Sequence, residues 1–533
     1  MPDMNGVQID HVVVLMLENR GFDHVMGYLY DAQNKPRNPS QAHGSLGDFV
    51  GLDGVSLSCK YDYSPKAGGN FSDTLHPRAG ARAANVPRIN ASESFINIIE
   101  DLYNPKFMDG SPDFSGPEDF ASKAKREAII KQGAKFKKPT MNGWAQNYAR
   151  SIDGHAKAAT YKDQISEILD IYLPEQLPVL SGLARHYAIS DQWFCSVPSQ
   201  TNTNRAFSVA GNSAGLVTNN FYDLYLSKAD TGMQVAGAMS QLLFPHVSQI
   251  LDAINRLKGA THQQRFDQWF RTNELTEGGS SVDSLPLRQT LFDVLEQNGK
   301  SWRYYWSASA LPPFASMPPY TRALFPQFLD TKFDSNFPQM EQFYADARSG
   351  SLPAVSYLEP ILGGGKDWSG ALRAISNDFH SVSDSICAEF FVKSIYDAVS
   401  MGPAWERTLL IITFDENGGT FDHFPPPAAE PPGVVAPLGV DLDRAPDNCK
   451  HPECDPDTRS QFGFEFDIYG CRVCTILVSP YIKPGTVFRS PTEVPFDHTS
   501  LIATILKWQQ IPLGAPMASR AKVPLGEKVT APL

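Results

Sequence analysis

The chain has 533 residues, of which 42% are apolar, 11% aromatic and 20% charged, a balance that supports a packed core without disulfide staples and excludes global disorder. Its 41 prolines and 39 glycines predict long loops between packed elements. The formal net charge of −12 argues against nucleic acid as a partner, because the field of the whole molecule repels a polyanion.

In chain order, the opening MPDMNGVQID has neither the basic region nor the apolar segment of a signal peptide. The chain as written is therefore expected to be cytoplasmic, and a signal removed upstream would instead make it secreted or periplasmic. The first element is a buried strand over His11–Leu17 (HVVVLML), apolar and β-branched without alternation. No apolar run reaches the roughly 18 residues of a membrane span. That strand runs directly into Glu18, Asn19 and Arg20, and His76 follows in DTLHPR. Between Lys123 and Lys138, seven Lys or Arg residues against one Glu read as a solvated helix face and its exit loop, with attraction of anionic substrates or membrane surfaces as the functional counterpart. The segment SVPSQTNTNR, Ser196–Arg205, is dense in turn residues, so a loop or helix start can present a hydroxyl outward. Ser196, Ser199, Thr201 and Thr203 are all candidates there, and composition does not choose among them. Residues 220–289, with a helical stretch at Val247–Leu257 and a polar tail, read as an insertion or cap.

The second half repeats the alternation. A strand is expected at Ala354–Leu358, then His380 in NDFH, a helix over Ser383–Val399, and a strand over Thr408–Phe414 (TLLIITF) that ends in Asp415, Glu416, Asn417, Gly418 and Gly419. Asp422 and His423 follow, then a proline-rich loop at 425–465 too long for an ordinary connection. The last elements are a strand at Val473–Val478, Asp497 and His498, and a helix over Ser500–Trp508. Strands separated by helices predict an α/β fold with a mostly parallel central sheet, taken here as one catalytic domain over 1–533. The seven cysteines are odd in number and scattered, which favours reduced thiols. Cys449, Cys454, Cys471 and Cys474, with His451 nearby, leave zinc or a local disulfide as a second reading, against core packing of the thiols.

Ligands of open parallel sheets bind beyond the carboxyl ends of the strands. Two strands here end in acids: Glu18 with Asn19, and Asp415 with Glu416. Carboxylates gathered from separate strands repel one another unless a cation lies between them; the alternative is that each acid caps the helix that follows. A hydroxyl beside such a cation, with histidines nearby, suits phosphoryl transfer.

These segments resemble the phosphoesterases that include bacterial and fungal phospholipases C and AcpA-type acid phosphatases, in the alkaline phosphatase superfamily. The resemblance rests on DHVVVLMLENRGFDHVMGYL, DQWFCSVPSQTNTNR, LPAVSYLEP, TLLIITFDENGGTFDHFPPP, RVCTILVSPYIKPG and FDHTSLIATIL, in the family's order from residue 10 to about 506. It implies an alkaline-phosphatase-like sheet and one divalent metal held by Glu18, Asn19, Thr201, Asp415 and Glu416. It further implies Thr201 as nucleophile, with His76 and His380 as active-site histidines and His423 and His498 as weaker matches. All the proposed donors are oxygens, which favours Ca²⁺, Mg²⁺ or Mn²⁺ over Zn²⁺ or iron. The sequence departs from the family after His380, where Ser381 and Val382 replace the usual Pro-Pro. The expected activity is phospholipase C-type cleavage of a phosphodiester or phospholipid head group through a phosphothreonine. The alternatives are an acid phosphatase acting on monoesters and, in another class, a metal-stabilised binding protein without catalysis.

Overall fold

The computed structural model describes residues 9–512 except 40–48, 67, 105–138, 154–159, 214–216, 218–288, 308–321, 323, 326–327, 329–330, 363–375, 433–453, 456–459 and 462–463. The expected insertion at 220–289, the basic run and most of the proline-rich loop, including Cys449, lie outside the described residues.

An eight-stranded sheet forms the centre. Its strands, in chain order, are β1 (His11–Leu17), β2 (Asn38–Pro39), β3 (Ala188–Ser190), β4 (Trp302–Trp306), β5 (Val355–Glu359), β6 (Thr408–Phe414), β7 (Thr475–Val478) and β8 (Thr486–Phe488). The spatial order is β2-β8-β3-β7-β6-β1-β5-β4. β1 pairs in parallel with both β5 and β6, whereas β7 runs antiparallel to its neighbours β6 and β3. The remaining pairs, β4 with β5, β3 with β8 and β8 with β2, are parallel, so the mostly parallel α/β class expected from the sequence is what the strand order shows.

β1 is buried at every position except His11, and β6 at all seven. Strands covered on both faces read as continuous apolar runs, and here the reason is helices packed over the sheet. The helices used below are α1 (Phe22–Met26), α2 (Phe95–Tyr103), α3 (Trp144–Ser151), α4 (Pro178–His186), α5 (Thr201–Ala210), α6 (Ser385–Ser400) and α7 (Thr499–Trp508). α4 packs on α6, and α5 on α7. α6 starts where the Asp384 side chain accepts the Ile386 amide at 2.9 Å, an N-cap that satisfies one donor of its first turn. α5 is buried along its whole length and stops at Gly211, whose φ of 71° is a left-handed C-cap. A second apolar core, with Tyr61, Phe95, Ile98, Trp144, Tyr148 and Phe421, joins α2, α3 and the hairpin Cys59–Tyr63/Phe71–Leu75 to Phe207 of α5 and to the segments that follow β6 and precede β7.

Cys471 and Cys474 are buried free thiols in these cores, which is the packing reading of the sequence. Among the described helices none is long and apolar enough to cross a membrane.

Candidate active site

The register between β1 and β6 builds the site. Leu17 lies opposite Phe414, so the residues that follow each strand emerge side by side at the carboxyl end of the parallel strands. The Asp415 amide bonds the Leu17 carbonyl at 3.0 Å, and the Asn19 amide bonds Asp415 Oδ1 at 3.1 Å. Asp415 Oδ1 also accepts from the Glu416 amide at 2.7 Å, and Glu416 Oε2 accepts from Gly418 N at 3.1 Å. This interleaving forces an unusual backbone. Asn19 has φ 60°, a left-handed value that asparagine tolerates better than most residues. Gly418, at φ 56°, lies so close that a Cβ there would meet Asn19 Cβ at 2.4 Å, so the Gly418 position has no room for a side chain.

α5 brings the hydroxyl to these strand ends. Asn204 clamps the preceding loop: its Oδ1 accepts the Val197 amide at 3.0 Å, and its Nδ2 donates to the Val197 and Ser199 carbonyls at 3.1 and 2.9 Å. The clamp sets Thr201 as the first residue of the helix. Its hydroxyl lies 3.4 Å from both Glu18 Oε2 and Glu416 Oε1. The other candidates are committed or placed elsewhere: Ser196 Oγ donates to Asp497 Oδ2 at 2.7 Å, Ser199 Oγ donates to the Val217 carbonyl, and Thr203 is buried further along the helix. One turn after Thr201, on the same helix face, is Arg205, whose Nη2 meets Glu18 Oε1 at 2.5 Å and whose Nε meets Asp415 Oδ2 at 3.2 Å.

His380 reaches the cluster from the loop before α6. Its Nε2 lies 3.1 Å from Asn90 Oδ1, its Nδ1 is 3.9 Å from Glu18 Oε2, and Asn19 Nδ2 lies 3.1 Å from both ring nitrogens. Burial, with Arg20 nearby, lowers the His380 ring to about 3, so it is a neutral imidazole. Ser381, which stands where the family's first proline would be, donates to Asn90 Oδ1 at 2.6 Å and so braces the histidine's partner. His498 acts from behind. Its Nδ1 accepts from the Trp193 indole at 3.4 Å, which leaves Nε2 to donate to the Asp415 carbonyl at 2.5 Å.

Two other histidines lie apart. His76 is exposed at the end of the hairpin, its Nδ1 3.1 Å from the Leu57 carbonyl, and no hydrogen bond or ion pair among the described residues joins it to the cluster. His423 belongs to a separate buried group with Asp23, Asp422 and Arg472.

The electrostatics favour a cation. Burial first, and then repulsion from Asp415 against the pull of Arg205, raises Glu18 well above the usual carboxylate range. Burial raises Glu416 likewise, with Glu93, Asp415 and Glu18 adding to it. Glu93, pushed up to about 8 by burial and Asp415, adds a fourth carboxyl to the group, in which Arg205 pairs with only Glu18 and Asp415. Asn19 Oδ1 is buried without a hydrogen-bond partner among the described residues. Crowded carboxyls that resist ionisation without a counter-charge, an orphaned amide oxygen and an all-oxygen donor set fit a hard divalent ion. Glu93, Asn90 and Arg205 were not singled out from the sequence. Only Arg205 carried a signal, since it stands four residues after Thr201 in a segment already marked as a helix start.

Acids from the carboxyl ends of two neighbouring parallel strands, converging on a hydroxyl at a helix start, are the equipment of a hydrolase acting on phosphoric esters. The chain belongs to the Phosphoesterase family, whose sequence model matches residues 9–512. It is 26% identical to non-specific phospholipase C3 of Arabidopsis thaliana, across 94% of this chain and 69% of that protein. It is 30% identical to phospholipase C A of Mycobacterium tuberculosis, across 43% of this chain and 42% of that one. Among solved structures it is similar to a protein in the alkaline phosphatase superfamily from Vibrio parahaemolyticus, at 11% identity and a TM-score of 0.28, covering 66% of this chain and 65% of that one.

Proposed function

We propose that the chain cleaves phosphodiesters in the manner of a phospholipase C, with Thr201 as the nucleophile. The observation that carries this reading is the Thr201 hydroxyl, 3.4 Å from Glu18 and Glu416, at the start of a helix. The relatives named phospholipase C supply the substrate class, a phospholipid head group. Glu18, Asn19, Asp415, Glu416 and Thr201 Oγ1 would hold one divalent cation, Ca²⁺, Mg²⁺ or Mn²⁺ by the hardness of these donors. Such an ion neutralises the surplus charge and lowers the pKa of a bound hydroxyl.

The protein's own groups do the rest. Thr201 Oγ1 has proton acceptors at Glu18 Oε2 and Glu416 Oε1, and the helix start places positive potential where a phosphoryl group would lie. A bond forms from Thr201 Oγ1 to phosphorus as the bond from phosphorus to the leaving alcohol oxygen breaks. The proton that Thr201 gives up to Glu18 Oε2 is the one the departing alcohol needs, and the neutral His380 ring, its Nδ1 3.9 Å from that oxygen, is positioned to relay it. Water then cleaves the Thr201 oxygen–phosphorus bond and restores the hydroxyl. His76, exposed and bonded to Leu57, has no part in this scheme.

The test is hydrolysis of p-nitrophenylphosphorylcholine against p-nitrophenyl phosphate by chelator-treated protein, metal-restored protein and Thr201→Ala. Metal-dependent diester cleavage that Thr201→Ala abolishes is the expected result. Preference for the monoester would make the enzyme an acid phosphatase, and full activity in Thr201→Ala would end the nucleophile assignment.

A further inference from the structure

Glu93 was not singled out from the sequence, yet it is the closest partner of the Asn19 side chain. Asn19 Nδ2 donates to Glu93 Oε2 at 2.8 Å, while Oδ1 of the same amide is buried with no hydrogen-bond partner among the described residues. That orientation runs against the local preference. Carboxylates only accept hydrogen bonds, so an amide set among Glu18, Asp415 and Glu416 should offer them its NH₂ group. The backbone of Asn19 has little freedom to relieve this. Its φ is 60°, its amide bonds Asp415 Oδ1 at 3.1 Å, and Gly418 is packed against its Cα and Cβ. What remains is a half-turn of the side-chain amide, which exchanges oxygen for nitrogen. With Glu93 ionised, as a divalent cation beside it would keep it, a half-turn would set Oδ1 against Glu93 Oε2, two acceptors facing each other in a buried place.

We propose that Glu93 is a positioning residue. It holds the Asn19 amide by its nitrogen and so keeps the carbonyl oxygen available to a divalent cation, without itself being a ligand. This rests on the cation-binding reading above and deepens it. Glu93 is suited to the task by its own anchorage. It immediately precedes Ser94 and α2, and the buried Phe95 that opens that helix ties it to the second core. Partners that orient a metal ligand in this way typically change metal affinity about 10–100-fold when removed.

The experiment is calorimetric titration of MnCl₂ into the chelator-stripped full chain, with thermal melts of the metal-free proteins as the folding control. Glu93→Gln keeps an acceptor for Asn19 Nδ2, and its affinity is expected within about threefold of the unaltered chain. Glu93→Leu removes the carboxylate acceptor, leaving Nδ2 only the longer contact to the His380 ring at 3.1 Å, and is expected to bind about 10–100-fold more weakly. Asn19→Asp removes the orientation problem, since either oxygen can face the ion. Adding Glu93→Leu to Asn19→Asp should therefore cost no more than about threefold. Should Glu93→Leu not fold, Glu93→Ser, whose hydroxyl is too short to reach Nδ2, serves in its place. Equal loss in Glu93→Gln and Glu93→Leu would mean that the charge acts, and would overturn the proposal. So would an unchanged affinity in Glu93→Leu, or an undiminished loss in the Asn19→Asp background. If the unaltered chain binds neither MnCl₂, MgCl₂ nor CaCl₂, the cation reading itself falls and this inference falls with it, an outcome distinct from the others.

Discussion

Two buried acidic clusters follow the same pair of strand ends, and they differ in what completes them. In one, Asp23 and Asp422 face Arg472, which meets Asp23 Oδ1 at 3.0 Å and Asp422 Oδ1 at 2.6 Å and donates to the Val50 and Asp191 carbonyls at 2.7 and 2.9 Å. Its guanidinium also lies over Phe22 and Phe424, and His423 closes the group by bonding Asp23. Burial opposes ionisation of Asp23, but Arg472 and His423 hold its carboxyl below the ordinary value, while burial raises Asp422 to about 6 against the pull of Arg472. In the other cluster, Arg205 answers Glu18 and Asp415, while Glu416 and Glu93 crowd in further carboxyls whose ionisation needs a counter-charge, and Asn19 Oδ1 has no hydrogen-bond partner among the described residues. A buried arginine that saturates its acids makes a structural joint. One outnumbered by acids leaves a place for an external cation.

The contrast can be broken by substitution. The largest effect is expected from Arg472→Met, which strands two buried carboxylates. It should lose about 3–5 kcal/mol of unfolding free energy in urea, and divalent ions should not restore it. Recovery on adding Mn²⁺ would erase the distinction between the clusters. Glu416→Gln should do the reverse: metal affinity falls by more than the roughly 10–100-fold expected for an outer partner, while the melting temperature of the metal-free protein holds or rises because a repelling charge is gone. A fall in that temperature would show that the acids of this cluster are structural as well.

The histidines sharpen the comparison further. His380→Ala should lower kcat by about 100-fold, whereas His76→Ala should stay within about twofold; a large loss in His76→Ala would mean that the hairpin reaches the substrate. The smallest effect concerns Glu389, a buried carboxyl with no ion pair among the described residues. It caps α4 by accepting the Val179 and Leu180 amides at 2.5 and 3.0 Å, and burial, opposed by those two bonds, raises it from 4.5 to about 7. The folded chain holds this proton more tightly than the unfolded one does. Its contribution to stability is therefore complete below pH 4.5 and is lost as the pH rises through about 7. Replacing Glu389 by Gln should flatten that part of the stability profile, measured as urea midpoints against pH; an unchanged slope would assign it to other groups.

Much of the sheet was legible because covered strands must be apolar at every position. β1 and β6 have the bounds expected from HVVVLML and TLLIITF, and the helix after His380 begins two residues later than its apolar spacing suggested. β7 was less legible: it starts at Thr475 rather than Val473, because Val473 instead bridges to Gly21. Its antiparallel direction left no mark, since a covered strand has the same composition whichever way it runs.

The local order of residues determined which side chains end the strands, so Glu18, Asn19, Asp415 and Glu416 were readable as a group before any coordinates. Only tertiary structure decided that Thr201, and not Ser196 or Ser199, meets them, because that choice depends on the Asn204 clamp and on the other two hydroxyls finding distant partners. It likewise decided the company of His380, His76 and His423, and brought in Glu93 across 74 residues of chain. The physical reason is that a strand's burial is written in its own residues, whereas a hydrogen-bond partner or a counter-charge is supplied by whatever segment the fold brings near.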